Sequence, residues 1–250
     1  AVVVHAPLVV EARERLGRSV EDFSSRFKKL ALWERGKEAP TLKQLEAFAK
    51  ATHVPFGYFF LPEPPEERIP IPDLRTVHNQ QVSHPSPDLL DTLHAMQRRQ
   101  AWLREELIES EAEPLDFVGS AKLTDSSEDI GREMRRALGF GDGWGAKVRT
   151  WEEALRELRR TIEELGVMAV INGVVGNNTH RKLNVGEFRG FALSDNYAPL
   201  VFVNGSDAKS AQIFTLAHEL GHIWLGESAL TDIGLASSPS QQIEVWCDHA

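Results

Sequence analysis

Apolar and polar positions recur with two different periods along this chain, and the change from one to the other divides it. Through the first 62 residues the period is helical and the runs are short. Leu8, Val9, Val10 and Leu16 mark one helix, stopped by Gly17, a residue that readily takes the left-handed conformation after a helix. Ser19-Val20-Glu21-Asp22 has the form of a capping box opening a second helix. Trp33-Glu34-Arg35-Gly36 reads as a helix end with a glycine stop, and Thr41-Leu42-Lys43-Gln44 as another capping box. The helix that follows puts Leu42, Leu45, Phe48 and Ala49 on one face, and Pro55 then opens a short apolar turn. Pro62, Pro64, Pro65, Pro70 and Pro72 interrupt the pattern, because each fixes its own φ and biases the residue before it away from helix. The boundaries drawn from this are a helical lobe at 1–62, a linker at 63–86 and a second domain at 87–250.

The second domain opens with helical spacing. Leu89, Leu90, Leu93, Met96, Trp102, Leu103 and Leu107 predict one apolar face over 87–110. A helix over 127–138 follows, and another over 151–165 with Trp151, Leu155, Leu158, Ile162 and Leu165 on one side. The period then shortens. Strands are predicted over 167–171, 188–193 and 200–203, the last held between Pro199 and Asn204-Gly205. Residues 177–181 read as a loop. A helix over 206–225 and another starting near Gln241 complete the domain, so the fold class is α+β: a small all-α lobe, then helices, a small sheet and an apolar helix.

Composition narrows the function classes. Residues 1–62 carry 10 Lys/Arg against 7 Asp/Glu, whereas the remaining 188 carry 18 against 30. An acidic body argues against non-specific coating of nucleic acid, but the basic lobe leaves room for a local DNA contact. Cys247 is the only cysteine, which excludes an internal disulfide and favours a reducing compartment. No apolar run reaches the roughly 18–20 residues needed to span a bilayer. The first residues lack a basic segment followed by an apolar core. A cytoplasmic protein with no membrane contact is expected.

The most informative stretch is His218-Glu219-Leu220-Gly221-His222. Histidines at i and i+4 on a helix point the same way, so both imidazoles can reach one ion about 2.0–2.1 Å from each nitrogen. The glutamate between them is placed to take a proton from water beside the metal. Ile213, Phe214, Leu216, Ala217, Leu220 and Ile223 surround the pair, the context of a buried, rigid helix. A third ligand is needed, and the position six residues past His222 is Ser228. Glu244 suits better, because it lies on the last predicted helix four residues before Asp248, whose carboxylate would accept the far N–H of a ligand histidine. Glu227 and Asp232 are closer in sequence but fall in a predicted loop. His180 and Tyr197 are weaker candidates for the cleft, and Cys247 for a regulatory thiol.

Several stretches carry a family resemblance. They are Trp33-Glu34-Arg35-Gly36, Pro40-Thr41-Leu42-Lys43-Gln44-Leu45-Glu46, Pro70-Ile71-Pro72-Asp73-Leu74-Arg75-Thr76 and Glu187-Phe188-Arg189-Gly190-Phe191-Ala192-Leu193. Phe214-Thr215-Leu216-Ala217 running into the His218 motif, and Glu244-Val245-Trp246-Cys247-Asp248, complete the set. In this order the sequence resembles the ImmA/IrrE metallopeptidases, in the form where an Xre-type helix-turn-helix lobe precedes the peptidase domain. The resemblance implies a gluzincin-like site with His218, His222 and Glu244 as zinc ligands, manganese as the alternative ion, and Glu219 as general base. It implies cleavage of a protein substrate, a transcriptional repressor or regulator linked to mobile elements or stress responses. The strand over 188–193 becomes the expected edge for an added substrate segment. Two departures stand out. Only 13 residues separate Ser19 from Trp33, so the second and recognition helices are expected to be short. The chain stops at Ala250, about one turn into the helix bearing Glu244, which suggests a truncated form with that ligand on a frayed end.

The rival reading is an Xre-type DNA-binding regulator whose metal domain senses or scaffolds without cleaving; a third is an interaction protein whose lobe docks on the peptidase domain or its substrate. The shortened span favours weak DNA contact, because Arg26, Lys28 and Lys29 supply charge but few side chains are placed for base edges. In a salt titration by fluorescence anisotropy, DNA binding should be weak and largely lost at physiological salt. Nanomolar, sequence-specific binding abolished by changing Arg26 or Lys28 would overturn this expectation.

Overall fold

The computed structural model describes residues 2–65, 85–141, 143–227, 229–231 and 239–250. Most of the proline-rich linker, with Pro70-Ile71-Pro72-Asp73-Leu74-Arg75-Thr76, lies outside the described residues, as does Asp232. The chain divides into two compact units, with the break falling within the helix that starts at Pro87.

The first unit contains α1 (Ala6–Glu14), α2 (Val20–Ser24), α3 (Leu30–Glu34), α4 (Leu42–Thr52) and a 3-10 turn at Phe56–Phe60. Both capping boxes form. Ser19 and Asp22 exchange side-chain and backbone hydrogen bonds at the start of α2, and Thr41 and Gln44 do so at α4. Each satisfies donors that the first turn of a helix leaves unpaired. Leu8, Val9, Leu30, Trp33, Leu45 and Phe48 fill the core, where the Phe48 ring meets the Phe27 ring edge-on at 5.3 Å. Arg13 ties α1 to α3 through Glu34, Nε to Oε1 at 2.6 Å. The α2 and α3 helices have five residues each. Leu42, expected on the buried face, is 52 % exposed, because as the first residue of α4 it precedes the turn that packs inward.

The second unit continues α5 (Pro87–Glu109) and adds α6 (Ser127–Ala137), α7 (Trp144–Lys147) and α8 (Trp151–Glu164). A four-stranded sheet follows, in the order β1 (Met168–Asn172), β5 (Leu200–Asn204), β4 (Gly190–Leu193), β6 (Ala229–Thr231). The β1–β5 pair is parallel, and both pairs made by β4 are antiparallel. A separate hairpin joins β2 (Val174–Val175) to β3 (Asn178–Lys182), so the stretch read as a loop around residue 180 is a strand. Its all-polar run gave no alternation to read. Helix α9 (Lys209–Leu225) packs on one sheet face, where Leu216, Leu220, Ile223 and Trp224 join Ala169, Ala192, Val201, Val203, Leu155, Leu158 and Ile162 in one core. On the other face Phe191 stacks on Phe202 at 4.9 Å. Trp102 and Trp151 are 65 % and 63 % exposed, so the apolar faces predicted for α5 and α8 are narrower than the sequence suggested. Among the described residues, no helix is long and apolar enough to cross a membrane.

The strand expected at the sheet edge is not there. β4 is buried along its whole length and is paired on both sides, to β5 and to β6. The three residues of β6 follow directly on the end of α9 and take up the free side of β4, with Phe191 opposite Leu230. Gly190 is the residue of β4 that faces α9 most closely. A Cβ there would lie 2.5 Å from Thr215 Cγ2, 2.8 Å from Glu219 Oε1 and 2.8 Å from the backbone oxygen of Phe202. The backbone oxygen belongs to the paired strand and cannot yield. Gly190→Ala should therefore destabilise the fold by about 1–3 kcal/mol, as over-packing does. In thermal denaturation this reads as a fall of about 2–12 °C for a unit of this size; an unchanged midpoint would show that α9 sits further from the sheet.

Candidate metal centre

Helix α9 carries the two histidines because its sequence is apolar on nearly every side. The helix packs between the sheet, α8 and α10 (Pro239–His249), and from Leu216 to Trp224 every residue except Ala217 is buried. His218, Glu219 and His222 are 3 %, 0 % and 0 % exposed. The last helix, α10, packs against α9, and two of its contacts fix its place. Trp246 Nε1 donates to the Asp125 backbone oxygen at 3.0 Å, and Cys247 packs against Gly221. Glu244 therefore stands in the interior of an eleven-residue helix and not on a frayed end.

The docking of α10 brings four of the candidate side chains together. His218 Nε2 and His222 Nε2 are 3.1 Å apart. Glu244 Oε2 lies 3.1 Å from His218 Nε2, and Glu244 Oε1 lies 3.3 Å from His222 Nε2. Among the described residues, these three form the group able to hold a metal ion. Ligands about 2.05 Å from a tetrahedral centre stand about 3.3 Å from one another, so the donor triangle has the size that a zinc site requires. On the far side of the first ring, His218 Nδ1 and Asp248 Oδ1 are 2.9 Å apart, a bond that turns Nε2 toward the centre of the triangle. The Glu219 carboxylate lies under Gly190, in the floor formed where α9 meets β4.

The electrostatics are those of a cation site. Burial alone would lower the His218 pKa, but hydrogen bonds to Asp248 and Glu244 and the charge of Glu219 outweigh it and raise it to about 10. Burial dominates at His222 and lowers its pKa, with the neighbouring His218 adding to the effect. Burial would raise the Glu244 pKa, yet hydrogen bonds from the two imidazoles bring it down to about 2. Positive charge is thus favoured at the centre of the triangle, and one cation there satisfies all three donors at once. Burial pushes the Cys247 thiol up, which keeps it protonated and unreactive.

Residues 163–245 match the IrrE N-terminal-like domain, Peptidase_M78. The matched span runs from the end of α8 through the sheet and α9 into α10, and takes in His218, Glu219, His222 and Glu244. Asp248 and the first unit fall outside it. No curated protein and no solved structure matched the chain.

The remaining candidates are placed elsewhere or apart from the triangle. His180 is exposed on β3. The Tyr197 ring lies beneath the Arg104 guanidinium at 6.0 Å. Glu227 donates its backbone N–H to the His222 carbonyl oxygen as part of the end of α9, and is not one of the three donors. Two glycines lie where other elements approach the three-donor group closely: Gly190 in a strand and Gly221 in a helix. A glycine inside either element signals close approach of another group, and that signal was available.

A raised His218 pKa makes the metal-free fold pH-dependent. A histidine with a folded pKa above its unfolded value contributes stability that is complete below about 6.5 and lost as the pH rises through about 10. Asp248→Asn removes the strongest of the bonds that raise it. In chelator-treated protein, the stability margin of wild type over Asp248→Asn should be widest near pH 6 and close toward pH 10. A margin independent of pH in denaturant titrations would show that Asp248 does not hold the His218 proton.

Proposed function

We propose that this chain is a zinc-dependent endopeptidase that hydrolyses peptide bonds of a protein substrate, with His218, His222 and Glu244 as ligands and Glu219 as the general base. The observation that carries the reading is the closure of three donors, from two helices, into a triangle of 3.1–3.3 Å edges beside a fully buried glutamate. The Peptidase_M78 match supports it. Two imidazoles and a carboxylate suit zinc, with manganese the alternative for a harder donor set.

When bound, the ion supplies Lewis acidity toward water and the scissile carbonyl. Glu219 takes a proton from the attacking water and gives it to the leaving amine as the C–N bond breaks. Asp248 holds the His218 ring by Nδ1, so that Nε2 stays directed at the ion. The substrate we assign is a transcriptional repressor or regulator, on the strength of the resemblance to the ImmA/IrrE metallopeptidases, and the site of action is the cytoplasm.

Glu219→Gln and Glu244→Gln separate the roles. Purified wild type should carry about one zinc per chain, as a three-ligand site predicts. Glu219→Gln should keep that zinc and its fold while cleavage of a cognate repressor falls by at least about 10²-fold, the scale of general-base catalysis. Glu244→Gln should lose zinc, because a neutral amide is a poor ligand. Equal cleavage by wild type and Glu219→Gln, followed by mass spectrometry of the fragments, would show that any proteolysis belongs to another site.

A further inference from the structure

The third ligand reaches the histidines because α10 packs against α9, and at one point of that contact α9 presents a glycine. Gly221 sits between Glu219 and His222 in the middle of a seventeen-residue helix. A Cβ at that position would lie 3.1 Å from Cys247 Sγ, 3.2 Å from Cys247 Cβ and 3.4 Å from Cys247 Cα. Carbon contacts settle at roughly 3.5–4.0 Å, so a Cβ there is too close by a few tenths of an ångström and Cys247 must give way. Cys247 is 4 % exposed and its helix is pinned beside it by the Trp246 hydrogen bond to Asp125, so α10 has little room to slide aside. Glu244 is one turn before Cys247 on the same helix, and its carboxylate spans both histidines within 3.1–3.3 Å. A shift of α10 is therefore carried directly to the ligand.

We infer that Gly221 is a positioning residue that sets the metal affinity of the site: its bare backbone is the seat on which Cys247 docks α10, and that seat brings Glu244 to His218 and His222. The inference rests on the metal-centre reading but not on the peptidase chemistry. It opposes the ordinary behaviour of a helix. Alanine is a better helix former than glycine, so without the α10 contact Gly221→Ala would make α9 more stable and leave the histidines untouched.

The test is zinc affinity, measured by competition with a chelating dye on the full chain. Gly221→Ala should weaken zinc binding at least about tenfold, the scale seen for groups that hold ligands in place. In a Glu244→Ala background the same substitution should change affinity less than about twofold, because the ligand it displaces is already gone. Gly221→Ala combined with Cys247→Gly, which removes the two nearest atoms, should recover most of the affinity. Cys247→Leu, which fills the seat from the other helix, should reproduce the loss and does not depend on how α9 tolerates a change. Unchanged zinc affinity in Gly221→Ala and Cys247→Leu overturns the inference. So does a loss of equal size in the Glu244→Ala background, which would place the effect on the histidines. If wild type binds no zinc, the metal-centre reading fails and the inference with it; if it binds zinc but cleaves nothing, only the peptidase reading fails.

Discussion

Two buried imidazoles and a half-buried carboxylate have to sit side by side without stranding their charge, and the second unit is arranged around that constraint. An isolated buried ion is strongly disfavoured, and a buried pair stays only where further hydrogen bonds complete it. Here His218 is held between Asp248 on one nitrogen and Glu244 on the other, and Glu244 in turn spans to His222. None of these bonds can form until α10 is against α9. The apolar faces of the two helices bring them together, and the polar cluster decides the register in which they stop.

The same helix is approached by bare backbone on two sides. Gly190 lets β4 come down onto Thr215 and Glu219, and Gly221 lets α10 come in against the opposite flank. Glu219 is consequently enclosed by the sheet while its two histidine neighbours face the other helix. A carboxylate so enclosed has few alternative rotamers, and that restriction helps to orient it.

How much of this was readable from residues alone depended on whether the governing interaction was local. The two capping boxes and the His218–His222 spacing are short-range, and the structure forms both boxes and places the two rings 5.0 Å apart. Glu244 and Asp248 could be singled out because four-residue spacing on a helix is also a local rule. What the sequence could not show was long-range pairing. Phe188-Arg189-Gly190-Phe191 looks the same whether its strand lies inside a sheet or on its edge. The partner that covers it, Ala229–Thr231, is only three residues long and comes after the next helix. Trp102 and Trp151 misled for a related reason: helical periodicity says which positions share a face, but not how wide the covering neighbour is.

The parallel pairing of β1 with β5 bears on the order in which this unit is built. Met168 pairs with Leu200, so the ladder closes across 32 positions with a hairpin and β4 inside the loop. Closing such a loop has to precede the contacts that reward it, and folds ruled by distant pairings form slowly. Helix α9 has no resting place until that ladder exists, since it packs on Val201 and Val203. α10 comes later still, because its seat is on α9. The donor set is therefore complete only when α10 is docked on α9. A partly unfolded chain would present the histidine pair without its carboxylate, and the three-donor group would exist only in the completed fold.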